Sequence, residues 1–468
     1  MKKFIIVLFL LISSTVIVAQ DVTGDWYGIL DANGVKLRIV YHIKNDGKLT
    51  ATMDSPDQKA KGIPISDVSF QNSILTLSAK NLGFSYTGKV NKTFSKVTGE
   101  FKQSGMKFNL DLQRKPVQIE KPKRPQEPKA PFPYYSEDIK FFNSEDNVEL
   151  AGTITLPDTN GKYPAVVLIS GSGPQNRDSE VFGHKIFLVL ADYLTRRGIV
   201  VLRFDDRGVG ESGGNLSTAT SMNFALDVLA GVQYLQSRKE IDPDKIGLIG
   251  MSEGGMIAPI ATVLSDDIAF DVLLAGPGIQ ITELMKLQQI AISKANNIPE
   301  ETIDFNVKTM QGAYKILNES ENESDTYDKL KKYFKEQLSK LPEEKLKELG
   351  DLDKFIELQI KTLTSPWFKY IIKCNPAENL SQIKCPVLAI NGGKDLQVLP
   401  EENLTGIEQA LKKGGNNNYT IKELPGLNHL LQKCKTGNPN EYSKIEETMN
   451  AAALKTIADW ILNIVKNQ

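Results

Sequence analysis

Five short apolar runs recur in the second part of the sequence: PAVVLIS (164–170), GIVVLRF (198–204), KIGLIGM (245–251), FDVLLAG (270–276) and CPVLAING (385–392). They are rich in Val, Ile and Leu and show no polar alternation. That is the pattern of strands covered on both faces. Stretches with helical patterning separate them, such as KIFLVLADYLTRRG (185–198) and NFALDVLAGVQYLQSRK (223–239). Repeated strand-helix alternation builds a mainly parallel α/β sheet with helices on its faces. VELAGTITLP (148–157) is expected as an antiparallel edge strand, and NYTIKELPG (418–426) as the last strand.

The alternation stops between Gly276 and Cys385. Residues 280–373 read almost wholly as helix. Leu330, Tyr333, Phe334, Leu338 and Leu341 fall on one helix face, with Lys and Glu on the other. A stripe of this kind packs on a domain and leaves its charged face in water. The segment is expected to be a helical cap, at about 280–375, over the carboxyl edge of the sheet.

Upstream the period changes to two. VKLRIVYHIK (35–44) and NSILTLSAK (72–80) alternate apolar and polar residues, and GEFKQSGMKFNLDLQ (99–113) reads as a hairpin with a Ser-Gly turn. Residues 21–115 are therefore expected to form a small antiparallel all-β domain, a barrel or a sandwich. Its opening, TGDWYGIL, resembles the G-x-W start of lipocalin-like barrels. Such a module binds a ligand or serves as a spacer. His42 reads as an ordinary strand residue. Residues 116–133 contain six prolines among Lys, Arg and Glu. Proline removes the amide donor and fixes φ, so this stretch is expected to be an extended linker. The α/β domain then runs over 134–468.

At the amino terminus, Lys2 and Lys3 precede an apolar run from Phe4 to Ile12, followed by Val18-Ala19-Gln20. Residues 1–20 read as a signal peptide, cleaved after Ala19 or Gln20. The run is shorter than the roughly 20 residues a membrane span needs. The expected location is periplasmic or extracellular. A composition of 41% hydrophobic and 24% charged residues is that of an ordinary globular protein. The net charge of -1 gives no electrostatic case for nucleic acid or an anionic membrane. Cys374, Cys385 and Cys434 allow one disulfide or three free thiols. Neither these spacings nor the three scattered histidines point to a metal.

Gly250-Met251-Ser252-Glu253-Gly254 is a G-x-S-x-G sequence at the end of a buried strand. A turn of this kind lifts a serine hydroxyl above the sheet edge. A nucleophilic serine needs a base. His42 belongs to the other domain and His184 begins a helix early in the sheet. His429 lies in a loop after the last strand, at the same edge as Ser252. The imidazole needs an acid, and Asp395 stands in the loop after the penultimate strand. The order Ser252, Asp395, His429 is that of α/β-hydrolases. Ser170-Gly171-Ser172-Gly173 follows an early strand, so the N–H groups of Ser172 and Glu253 are the candidate oxyanion donors. Arg177 and Asp178 are close enough to that loop in sequence to touch substrate or to pair within it.

Together LISGSGPQNRD, LRFDDRGVGESGG, GLIGMSEGGMIAP, CPVLAINGGKDLQV and ELPGLNHLLQ resemble the EstD-type bacterial esterases of the α/β-hydrolase superfamily, over about 134–468. The resemblance implies an α/β-hydrolase fold with Ser252 as nucleophile, Asp395 as acid and His429 as base. It implies hydrolysis of short acyl esters without metal or organic cofactor. Asp206 and Arg207, within FDDRGVGES, are expected to brace the oxyanion loop. Related sequences act on peptides or acyl thioesters, so a serine peptidase, an aminopeptidase and a thioesterase stand as alternatives on the same triad. A ligand-binding protein working through the β module is the non-enzymatic alternative. The expected partner is a small-molecule ester.

Overall fold

The structure is a computed structural model that describes residues 21–467, except residues 33, 34, 59, 104, 105, 120–122 and 321. The expected signal peptide lies outside the described residues, as does the Ser-Gly turn at 104–105. The chain divides into two compact units, residues 1–120 and 121–468.

The first unit is a ten-stranded antiparallel sheet. The ends of its pairing order, Ala60–Pro64 and Asp67–Gln71, are joined by Ile65 and Ser66 alone. The Ile65 N–H donates to Ala51 O and the Ser66 N–H to Ser78 O, so neighbouring residues tie down both edges. The sheet therefore curls round on itself as a barrel does, which decides against a sandwich. Period-two alternation turns Trp26, Tyr41, Leu75, Leu77, Tyr86 and Leu112 into the interior, where all are fully buried. The Arg114 guanidinium lies 3.8 Å from the centre of the Trp26 ring, which explains the tryptophan of TGDWYGIL. His42 is more than an ordinary strand residue. Its Nδ1 lies 2.7 Å from Asp25 Oδ1 and its Nε2 3.3 Å from Asp54 Oδ2, so it links three neighbouring strands.

The second unit carries an eight-stranded sheet, β1 (Tyr135–Asn143), β2 (Val148–Leu156), β3 (Tyr163–Ile169), β4 (Val200–Phe204), β5 (Ile241–Met251), β6 (Phe270–Leu274), β7 (Val387–Gly392) and β8 (Tyr419–Leu424). Its spatial order is β1-β2-β4-β3-β5-β6-β7-β8. The β1-β2 and β2-β4 pairs are antiparallel and the rest parallel. VELAGTITLP is a strand but not the edge, because β1 pairs outside it. Val167, Leu202, Leu248 and Leu273 pack on one face, and Val166, Val201, Ile249 and Val272 on the other. This double burial is why those strands read as unbroken apolar runs.

Helices α1 (Ile186–Thr195), α2 (Ser221–Gln236) and α3 (Gly254–Leu264) follow successive parallel strands. The cap comprises α4 (Ile281–Ala295), α5 (Glu300–Glu319), α6 (Glu323–Leu338), α7 (Glu343–Leu349), α8 (Leu352–Leu363), α9 (Pro366–Ile371) and α10 (Pro376–Leu380). Leu330, Phe334 and Leu338 of α6 are buried and join the core on the α2 and α3 side. Helices α11 (Pro400–Lys413) and α12 (Ala451–Asn467) complete the unit, with α12 packed beside α1 on the opposite face.

The linker expectation needs correction. The second unit begins at residue 121, not 134, and the proline-rich segment is docked on it. Arg124 and Gln126 hydrogen-bond to residues 182–183 and 443–449. The Tyr134 hydroxyl donates to Asp192 on α1. Proline stopped this stretch from joining a sheet but left its side chains free to bond. Cys374, Cys385 and Cys434 are free thiols. No helix among the described residues is long and apolar enough to cross a membrane.

Candidate active site

Strand β5 ends at Met251, and α3 begins three residues later at Gly254. Ser252 occupies the turn with φ 55°, a left-handed conformation that costs a non-glycine residue on the order of 1 kcal/mol. Its N–H donates to Leu274 O on β6, and Gly255 N–H closes the turn onto Ser252 O. The flanking glycines are sterically required. A Cβ on Gly250 would lie 2.0 Å from Gly254 O, and one on Gly254 would lie 2.3 Å from Ile169 O. Strand β3 thus runs directly against the turn and brings its following loop with it. The nearest neighbour of a Cβ built on Gly171 is Ser252 Cβ, at 3.2 Å.

Parallel strands place their following loops at one edge. Asp395 comes three residues after β7 and His429 five residues after β8, so both share the edge of Ser252. His429 Nδ1 and Asp395 Oδ2 are 2.7 Å apart. Asp395 Oδ1 accepts from the N–H groups of Gln397, at 2.7 Å, and Val398, at 3.0 Å. The His429 turn is tied by Asn428, whose Oδ1 accepts from Leu430 N and Gln432 N and whose Nδ2 donates to Gln432 Oε1. Leu431 then takes a left-handed φ of 57°. With Nδ1–H donated to Asp395, the imidazole keeps an acceptor lone pair on Nε2. The structure therefore joins His429 to Asp395 directly. Among the described residues no hydrogen bond is made by Ser252 Oγ.

The loop that carries Ser172, the candidate oxyanion loop, is braced by Asp206, as expected. Its Oδ1 accepts from Ser170 Oγ at 2.7 Å and its Oδ2 from Gln175 N at 3.0 Å, so one carboxyl holds both ends. Burial pushes this carboxyl up to about 7, and the Glu253 and Asp227 charges add to the rise. Arg207 is paired with Asp227 and Asp146 beneath the loop. Glu253 follows Ser252 in the turn, and Ser172 follows Gly171, whose backbone lies against Ser252; neither Ser172 nor Glu253 main-chain N–H donates to another backbone group among the described residues. Arg177 and Asp178 take the pairing role. Arg177 binds Asp205, Glu211 and Asp138, and Asp178 binds Arg203 and Lys185.

A cavity of about 720 Å³ opens at this loop, lined by Ser172, Ser217, Phe224, Ser365 and Trp367 among others. None of its lining residues is charged. Trp367 belongs to α9 of the cap. Its Nε1–H donates to Glu253 Oε1 at 2.9 Å, and Ser221 Oγ donates to the same oxygen at 2.7 Å. Sequence reasoning did not find these two partners of Glu253. The only signal was a tryptophan in the cap, which carries no address.

Residues 146–422 match the family described as X-Pro dipeptidyl-peptidase (S15 family). Esterase EstD of Thermotoga maritima is 26% identical over 317 residues, covering 67% of this chain and 65% of that protein. The chain thus spans just under two thirds of that relative's length. Dipeptidyl peptidase 8 of Homo sapiens is 33% identical over 158 residues, 31% of this chain and 17% of that protein. Among solved structures, the Pyrococcus furiosus esterase Pf2001 aligns with 75% of this chain and 99% of its own, at 19% identity and a TM-score of 0.42.

Proposed function

The chain belongs to the X-Pro dipeptidyl-peptidase (S15) family, and on that premise we propose that it is a serine hydrolase cleaving short-chain carboxylic esters through Ser252, His429 and Asp395. The observation that carries this reading is the strained turn of Ser252 at the sheet edge that also bears the buried His429–Asp395 pair. His429 Nε2 takes the Ser252 proton as Oγ bonds to the acyl carbon. The carbonyl oxygen becomes an alkoxide held by the Ser172 and Glu253 N–H groups. Collapse breaks the bond to the alcohol oxygen, which leaves with the proton from His429. Water then attacks the acyl-enzyme, gives its proton to His429, and the acid departs as Ser252 regains its hydrogen. Asp395 holds the imidazole in the tautomer this sequence requires.

The neutral cavity favours esters over peptides with a free amino terminus. An exopeptidase needs a carboxylate to receive the terminal ammonium. Asp206, Glu253 and Asp395, the carboxyl groups beside Ser252, are buried and already hydrogen-bonded to protein groups. A cavity of about 720 Å³ lies in the range of small-molecule sites. Its wall at Trp367 and Phe224 limits chain length. Each methylene adds about 0.8 kcal/mol until that wall is met. Export follows from the charged and apolar pattern at the amino terminus, and the mass of the mature protein from a periplasmic fraction tests it.

The deciding experiment is a panel of p-nitrophenyl esters, acetyl to palmitoyl, with matched aminoacyl p-nitroanilides. The proposal predicts a maximum between acetyl and about hexanoyl (by resemblance to EstD-type esterases) and far slower anilide cleavage. Equal rates on anilides would make the protein a peptidase. Equal rates on palmitoyl esters would remove the chain-length limit.

A further inference from the structure

His429 depends on a segment of irregular chain that follows it. Asn450 N–H donates to Leu431 O, Gln432 Nε2 to Glu447 O, and Lys433 N–H to Glu447 Oε2. Tyr442 is fully buried. Its hydroxyl oxygen accepts from Gln397 Nε2, and Gln397 N–H in turn donates to Asp395. Residues 442–450 thus bond to Gln397, two positions from Asp395, and to Leu431 and Gln432, two and three positions from His429.

Main-chain polar groups shielded from water must find partners within the protein. Here the partners come from the proline-rich segment. Arg124 Nη1 donates to Ile445 O at 2.6 Å and Nη2 to Ser443 O at 3.3 Å. The same guanidinium reaches Gly183 O and Phe182 O. Gln126 Oε1 accepts from Thr448 N and Met449 N, and Gln126 Nε2 donates to Met449 O at 2.7 Å. Pro125 stands between them in a turn closed by Glu127 N–H on Arg124 O, which sets both side chains toward the same segment. His184 completes the anchorage, with Nε2 2.8 Å from Tyr442 O and Nδ1 3.2 Å from Thr448 Oγ1.

We propose that Arg124 and Gln126 form a strap whose function is to hold residues 442–450, and through them His429 and Asp395, in the geometry for proton transfer. They are positioning residues and touch no substrate. The inference rests on His429 being the catalytic base. The strap also gives the start of the second unit a catalytic consequence that a spacer would lack.

The test uses the full-length chain carrying Arg124→Ala and Gln126→Ala. Kinetics on p-nitrophenyl butyrate are normalised by active-site titration, so that misfolded protein does not count. The strap predicts a kcat per titrated site at least about tenfold lower, with KM within about twofold, because the neutral cavity is untouched. Arg124→Lys should behave like Arg124→Ala, since an ammonium cannot span four carbonyl oxygens. Should the double variant not fold, Gln126→Glu decides alike, because it keeps the acceptor and loses the donor to Met449. An unchanged kcat per site, or full recovery with Arg124→Lys, overturns the strap. A wild-type enzyme inactive on esters would instead overturn the proposed function, which separates the two failures.

Discussion

His429 Nδ1 lies 2.7 Å from Asp395 Oδ2, and the two side chains are 6% and 0% exposed. A hydrogen bond shut away from water orients the ring, and in the proposed mechanism it stabilises the imidazolium formed when Ser252 gives up its proton. Asp395→Asn preserves the shape but presents an amide donor or a neutral oxygen to Nδ1. The expected loss in kcat is on the order of 10⁴, with the melting temperature little changed. Stopped-assay kinetics on the best ester, with a thermal melt, would check both halves.

The turn that presents Ser252 tolerates no added carbon. In Gly254→Ala the new methyl would lie 2.3 Å from Ile169 O and 2.6 Å from Ser170 O, all backbone. Strand β3 would have to move, and the oxyanion loop with it. The expected destabilisation is about 3 kcal/mol or more, with activity lost even in the folded fraction. A denaturant titration together with active-site labelling distinguishes this from a harmless substitution.

Trp367 fastens the cap to the elbow through Glu253 Oε1. Trp367→Phe keeps an aromatic wall but removes the donor. Hydrogen bonds to a charged group contribute about 1.5–3 kcal/mol. KM for butyryl and hexanoyl esters should rise about tenfold, with acetyl esters affected least. Equal changes across the series would place the cap away from the acyl chain.

The α/β sheet and the elbow are legible in the sequence because each imposes a residue type at a fixed place. Double burial demands apolar runs, and the elbow demands small residues around Ser252. Strand β1 is less legible because only its end, from Ile139 to Asn143, alternates cleanly between buried and exposed. The partners of His42 are invisible along the chain, since Asp25 and Asp54 meet it only through the pairing of neighbouring strands. The strap misleads for another reason. Proline content speaks for the backbone of residues 116–133 and says nothing of where Arg124 and Gln126 reach. Arg177 is the reverse case. Proximity in sequence to the loop leaves substrate contact and a loop salt bridge equally open for it, and the structure pairs its guanidinium with Asp205, Glu211 and Asp138.

Asp271, on β6, is wholly buried, and burial pushes its carboxyl up to about 7 from 3.8, against one hydrogen-bond donor, Thr262. The folded protein therefore keeps this proton where the unfolded chain releases it. The resulting stability is fully present below about pH 4 and is lost as pH rises through about 7. Asp271→Asn carries no charge at any pH. Its stability relative to wild type should climb between pH 4 and 7 by up to about 4 kcal/mol and then level off. Urea titrations of both proteins at pH 4.5, 6 and 7.5 measure the difference, and a constant difference would contradict the buried neutral carboxyl.

The most direct test of the account is Ser252→Ala, assayed on the best p-nitrophenyl ester beside wild type. In the proposed mechanism its hydroxyl oxygen forms the acyl bond, and the alanine leaves the turn and the His429–Asp395 pair in place. The account predicts a folded protein whose kcat falls by about 10⁴ to 10⁶. A folded Ser252→Ala variant that retained a tenth of wild-type kcat would contradict it.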